Sequence, residues 1–389
     1  MIYLDNAAGT PIRKEVLGVV EKAMEKYYAN PSALHKLGKG AKEQLEKARG
    51  IIGFILGVDK KDKIIFTASG TESVNLAVKG FALANRDKGK HIITTSIEHK
   101  SVLEACSSLK KQGFNVTYLP VDKNGLVNVD ELKKAITKDT ILISVHYANN
   151  EIGTIQPIKE ISEIARKNKI VFHSDACQAG FLNLNVGSIG VDMLTLNSSK
   201  IYGPRGAALL YVKDGLVLKP LMEGGGQEYS LRSGTENLPA IMGFAKALEL
   251  AQKEKEKENK RLIALRDMLI KGIMTISDTY LNGHPKNRLA NNVNVSFKDV
   301  DGETLLMHLD EKRIYASSGS ACSSNVTKLS NVAEHSNAVM ISHVLLALGV
   351  DESLARGTIR FSLGKETSEK DVKKVVAVLR EVVDSLRKV

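Results

Sequence analysis

Between about residues 63 and 212 the chain alternates short β-branched runs with longer amphipathic ones, and this rhythm restricts the fold more than any other feature. Strands are expected at 63–67, 91–95, 115–119, 140–146, 170–174, 192–196 and 207–212. Helical periodicity fills intervals at 72–86, 101–112, 130–136 and 158–168. Strand, helix and strand in repeated succession give an α/β fold with a mostly parallel sheet covered on both faces. Ligands of such sheets sit beyond the carboxyl ends of the strands, so the residues just past each strand are the ones to inspect.

The pattern changes after Pro239. Residues 243–271 read as one or two long helices, and their stretch QKEKEKENKR reads as a solvated helix face. Strands at 292–297 and 358–363 and a closing helix at 369–387 describe a smaller α+β domain. At roughly 150 residues per domain, a chain of 389 residues holds two.

Composition excludes several classes of function. The formal charge of +11 is spread along the chain without a block of one sign, aromatics are 5% and Trp is absent. Those features argue against a dedicated DNA-binding face or a stacking platform for single strands. The three cysteines, Cys106, Cys177 and Cys322, are far apart and form no CxxC pair, so neither a disulfide framework nor a zinc knuckle is expected. His335 and His343 follow Cys322 at a spacing that fits no compact zinc motif, and no metal site is expected. The start MIYLDNAAGTP lacks the basic and apolar regions of a secretory signal. Apolar runs such as 51–58 fall short of the roughly 20 residues that span a bilayer. The expectation is a soluble cytoplasmic enzyme with no membrane association.

The strand ends supply the chemistry. Ser69-Gly70-Thr71-Glu72 leads from a strand into a helix, an arrangement that suits a phosphate or serves as an ordinary helix cap. Neither GxxxxGK[ST] nor GxGxxG occurs, so nucleotide and dinucleotide readings lose their main support. His99 and Asn149-Asn150-Glu151 follow two further strands, Asp175 follows the apolar run IVFH, and Lys200 follows another strand in Asn197-Ser198-Ser199-Lys200. A carboxylate at such a strand end is costly without a cation. A Lys and an Asp at the mouth of one sheet, beside a phosphate cup, match what pyridoxal phosphate requires: an amine for the Schiff base and an anion for the pyridinium nitrogen. Cys322 lies in Ser317-Ser318-Gly319-Ser320-Ala321-Cys322, a small-residue segment unsuited to a core element and therefore a candidate nucleophile. Cys106 reads as inert core filler; Cys177, beside Asp175, has a place near the cofactor as its alternative, with packing preferred.

Taken together, Tyr3-Leu4-Asp5-Asn6-Ala7-Ala8, Asn30-Pro31-Ser32-Ala33-Leu34-His35, Thr67–Glu72, Asn149-Asn150-Glu151-Ile152-Gly153, Arg232-Ser233-Gly234-Thr235 and Ser317–Cys322 resemble the NifS/IscS-type cysteine desulfurases of group I. These belong to the class V branch of pyridoxal-phosphate aminotransferase-fold enzymes. The resemblance implies an aspartate-aminotransferase-like fold (fold type I), with a large domain at 12–255 and a small one formed by 1–11 and 256–389. It further implies that Lys200 carries pyridoxal 5'-phosphate, Asp175 pairs with the ring nitrogen, Gln178 with the phenolate oxygen, and His99 stacks on the ring. Gly70, Thr71, Ser198 and Ser199 would hold the phosphate, with Thr235 reaching over from the second subunit of a homodimer. Asn150 and Arg360 would take the carboxylate of L-cysteine, and Cys322 would attack its sulfur. The resulting persulfide would pass to an acceptor such as an iron–sulfur scaffold or a tRNA-thiolation protein. The sequence departs from the family at Ser199, where His is usual, and in the longer stretch 323–341. A selenocysteine lyase, a cysteine-sulfinate lyase and a non-catalytic interaction protein on the same scaffold remain alternatives at this level.

Overall fold

The computed structural model describes residues 1–319 and 341–388. One short strand and two helices precede the expected β/α region: β1 (Ile2–Tyr3), Lys14–Lys26 and Lys36–Leu56. The main sheet contains β2 (Lys63–Thr67), β3 (His91–Thr95), β4 (Asn115–Leu119), β5 (Thr140–Ser144), β6 (Val171–Asp175), β7 (Met193–Asn197) and β8 (Ala208–Val212). Their spatial order is β2-β8-β7-β6-β5-β3-β4. All neighbouring pairs are parallel except those made by β8, which runs antiparallel to both β2 and β7.

Burial explains why these strands read as apolar runs. Every residue of β3, β5 and β8 is buried, as expected of strands covered on both faces. Successive residues enter opposite cores: Ile93, Ile143, Leu194 and Leu209 lie in one, and Ile92, Leu142, Met193 and Leu210 in the other. Cys106 sits in the second of these cores, as filler. The expected strand at 140–146 stops at Ser144, and that at 170–174 is shifted by one so that Asp175 is itself the last strand residue. The expected helix at 72–86 begins at Gly70 and is interrupted by a π-helical turn, Leu76–Gly80.

One helix of 36 residues, Leu238–Ile273, replaces the one or two expected over 243–271. Ile241, Phe244, Leu248 and Ala251 pack with the main sheet, whereas Leu262, Leu265, Leu269 and Ile273 belong to a separate core. That second core covers the antiparallel sheet β12-β10-β9, made of β9 (Thr279–Leu281), β10 (Asn292–Phe297) and β12 (Thr358–Ser362). The helix Glu369–Leu386 packs over it, opened by a capping box between Ser368 and Asp371. β1 pairs in parallel with β11 (Ile314–Tyr315) and thereby brings the N-terminal segment to this body.

The charged middle of the long helix is less solvated than its sequence suggests. Gln252 donates to the carbonyls of Gly180 and Leu182, Asn259 to that of Phe181, and Arg261 to those of Gly364 and Thr367. These three side chains are therefore satisfied by backbone of neighbouring segments.

Candidate active site

A cavity of about 160 Å³ opens at the carboxyl ends of β5, β6 and β7 and is bordered by Gly70, Thr71, His99, Asn150, Asp175, Gln178, Lys200 and Arg360. The fold brings together eight of the residues singled out from sequence, although they span most of the chain.

The cup at Gly70 is built locally. Ser69 caps the helix by accepting the Glu72 amide at 3.2 Å, and Glu72 returns to accept the Ala68 amide at 2.8 Å. A Cβ on Gly70 would lie 2.8 Å from Cys177 Sγ, so only glycine fits without displacement. The first-turn amides of a helix lack intrahelical acceptors and point outward, which suits a phosphate.

Opposite the cup, the turn Ser198–Lys200 follows β7 and projects Lys200, whose Nζ donates to the Ala8 carbonyl at 2.6 Å. Parallel pairing sets Asp175 beside Thr195 on the adjacent strand. The Asp175 side chain is 8% exposed as a residue and accepts the Cys177 amide at 3.0 Å. Gln178 donates to the Ala7 carbonyl at 3.0 Å. His99 caps the helix Lys100–Lys110: its Nδ1 accepts the Ser101 amide at 3.2 Å, so the proton of the neutral ring is on Nε2. Arg360, 1% exposed on β12, reaches back to pair with Asp5 at 2.7 Å and to donate to the Asn150 carbonyl at 3.1 Å.

Three other expected residues stand apart from the cavity border. Ser198 is buried and its Oγ has no hydrogen-bond partner. Ser199 donates its hydroxyl to Asn197 Oδ1 at 3.1 Å. Thr235 is exposed in its loop. Cys322 lies outside the described residues.

The site also holds groups that the sequence reading did not assign to it. Cys177, for which packing was preferred over a place near the cofactor, borders the cavity, and its Sγ faces Gly70. Burial, and then the neighbouring Asp175 carboxylate, push its thiol well above the ordinary cysteine range. His146 borders the same cavity, with Nδ1 3.1 Å from the fully buried Glu98 carboxylate and Nε2 left without a partner. One layer beneath, His173 lies between Ser144 at 2.9 Å and Thr195 at 3.0 Å, and burial lowers its pKa to about 4. Asp5, Ala7 and Ala8 come from the N-terminal segment, and their only sequence signal was the run Tyr3–Ala8.

The donor set fits pyridoxal phosphate: a primary amine, a nearly buried carboxylate and an imidazole on one cavity, beside a glycine-opened helix terminus. No group of three or more His, Cys, Asp or Glu among the described residues is arranged to hold a metal ion, and no described helix is long and apolar enough to cross a membrane.

The chain also resembles known proteins over nearly its whole length. The chain matches the Aminotransferase class-V family over residues 2–375. It is 50% identical over 387 residues to a cysteine desulfurase IscS of Methanosarcina thermophila, covering 99% of this chain and 93% of that protein. A cysteine desulfurase IscS of Dictyoglomus turgidum is 48% identical over 388 residues, covering 99% and 95%. Among solved structures, a NifS-like protein superimposes with a TM-score of 0.89 at 36% identity over 99% of both chains. SspA in complex with cysteine gives a TM-score of 0.79 at 36% identity, over 93% of this chain and 99% of that one. By its family match, its identity to these relatives and its superposition on their structures, this chain belongs to the aminotransferase class-V family, among its cysteine desulfurases.

Proposed function

We propose that the protein is a pyridoxal-phosphate-dependent enzyme that converts L-cysteine to L-alanine and transfers the sulfur to Cys322 as a persulfide for an acceptor protein. The observation that carries this reading is the convergence of Lys200, Asp175, His99 and Arg360 on one cavity. The cofactor, which the Lys200 amine would hold, would supply an electron sink that makes the α-proton of an amino acid removable.

The chain's own residues do the rest. Asp175 would present its carboxylate to the ring nitrogen. His99 would pack on the ring and holds a proton at Nε2, its Nδ1 being committed to the helix cap. Gln178 would donate to the phenolate oxygen. Gly70, Thr71, Ser198 and Ser199 would hold the phosphate. Lys200 would hold the cofactor through its amine and would take the α-proton. Arg360 and Asn150 take the substrate carboxylate. The Cys322 thiolate attacks the substrate sulfur: an S–S bond forms, the carbon–sulfur bond breaks, and its electron pair returns to the three-carbon fragment that leaves as alanine.

On the same reading the enzyme is a homodimer, with Thr235 of each subunit serving the other's phosphate site; its exposure and distance from its own cavity border support this. The chain divides at 12–255 and 1–11 with 256–389, supported by the change of core between Ala251 and Leu262. The described cysteines, Cys106 and Cys177, are both free thiols, in keeping with a cytoplasmic enzyme.

Holoenzyme given L-cysteine and a reductant should release alanine and sulfide in equal amounts. Lys200→Ala should lose the visible absorption of the bound cofactor and all turnover. Wild-type alanine release by Lys200→Ala would refute the assignment. Running selenocysteine in parallel, with and without Cys322, separates a desulfurase from a selenocysteine lyase.

A further inference from the structure

Arg360 divides its five N–H donors unevenly. Nη2 donates to Asp5 Oδ1 at 2.7 Å and Nη1 to the Asn150 carbonyl at 3.1 Å, while Nε is buried and has no partner. A guanidinium receives a planar carboxylate through two parallel N–H groups, and its side edge pairs Nε with one Nη. Nε is the donor left over, and the nitrogen that shares its edge, Nη2, is the one Asp5 holds, so a carboxylate arriving on that edge meets Asp5 directly. The Asp5 side chain is 20% exposed and that of Arg360 1%, so water screens their interaction poorly.

We propose that Asp5 is a positioning residue that sets the strength of Arg360's grip on the amino-acid carboxylate. This rests on the reading of Arg360 given above. Asp5 neutralises the buried guanidinium and repels a second carboxylate brought to the same group. Substrate is therefore held loosely enough for alanine to leave.

The test is Asp5→Asn in holoenzyme, which keeps the shape and an acceptor for Nη2 but removes the charge. L-Alanine binding, followed through the cofactor's visible spectrum, should tighten on the order of tenfold. KM for cysteine should fall, and kcat should fall with it as release of alanine becomes slower. Alaninamide, which has no carboxylate, should bind as it does to wild type. Asp5→Ser should move alanine binding in the same direction. Unchanged or weaker alanine binding in both variants would overturn the proposal, as would an equal change for alaninamide. Arg360→Lys is the control for the underlying reading: if it leaves alanine affinity intact, the carboxylate role of Arg360 fails instead.

Discussion

Gly70→Ala sets two effects of opposite sign against each other. An alanine at an ordinary helix position is favoured over glycine by up to about 1 kcal/mol, and by less in the first turn. Here its Cβ would lie 2.8 Å from Cys177 Sγ, whereas ordinary contact begins at 3.4 Å, so about 0.6 Å must be found. Cys177 is half-buried and borders the cavity, but its amide, tied to Asp175, holds its backbone in place. Forcing an extra methyl group into a packed site costs about 1–3 kcal/mol. The clash therefore wins, and the variant should lose about 1–2 kcal/mol of stability and bind cofactor more weakly. Cys177→Ala removes the obstructing sulfur, so adding Gly70→Ala to it should be neutral or slightly stabilising. The two substitutions should thus couple by about 1–3 kcal/mol. Urea unfolding of the wild type, the two single variants and the double variant measures the coupling, with cofactor retention as a second readout. An equal cost of Gly70→Ala in both backgrounds would show that the sulfur is not what demands glycine.

Two further outcomes follow from the site. His173 refuses a proton until about pH 4 in the folded chain but accepts one near 6.5 when unfolded, so apoprotein stability should fall as pH drops between those values, by about 3 kcal/mol; His173→Asn should flatten that part of a urea-stability profile, and an unchanged slope would contradict the assignment. Ser199 gives its only hydroxyl proton to Asn197, leaving it a poor donor to phosphate. Ser199→His should strengthen cofactor retention by about 1–3 kcal/mol, seen as slower loss during dialysis against a carbonyl reagent, whereas faster loss would reject that role for position 199.

The sequence made the main sheet and its ligand-bearing edge legible because strands buried on both faces cannot disguise their composition. Lys200 and Asp175 stood out for the same reason, each being a charge at the end of an apolar run. The helix Lys36–Leu56 was harder to read: its buried stripe, Ala41, Leu45, Ala48, Ile52 and Leu56, is diluted by small and charged residues. The importance of Asp5 was hidden by a separation of 355 residues from Arg360, and no local pattern reports such a pair. Cys177 looked like filler because a small apolar side chain after a strand usually is; only its approach to Gly70 reveals the cavity. His146 depends likewise on Glu98, a buried carboxylate that accepts both the amide of His146 and the hydroxyl of Thr95. The charged stretch after Ala251 kept its helix and, at Lys253, Glu256, Lys257 and Lys260, its exposed face, whereas Gln252, Asn259 and Arg261 reach backbone carbonyls distant in sequence.

The most direct test of the proposed chemistry is to locate the sulfur. Holoenzyme is given sulfur-labelled L-cysteine without reductant, and its cysteines are mapped by mass spectrometry. The thiolate is the reactive form of cysteine, yet burial pushes Cys106 up to about 12 and raises Cys177 well above its ordinary range. Neither should carry label. The labelled persulfide should appear on Cys322 alone, and it should vanish in both Cys322→Ala and Lys200→Ala, with cofactor absorption retained in Cys322→Ala. Label on Cys106 or Cys177, or persistence of cysteine-dependent persulfide in Cys322→Ala, would contradict the account.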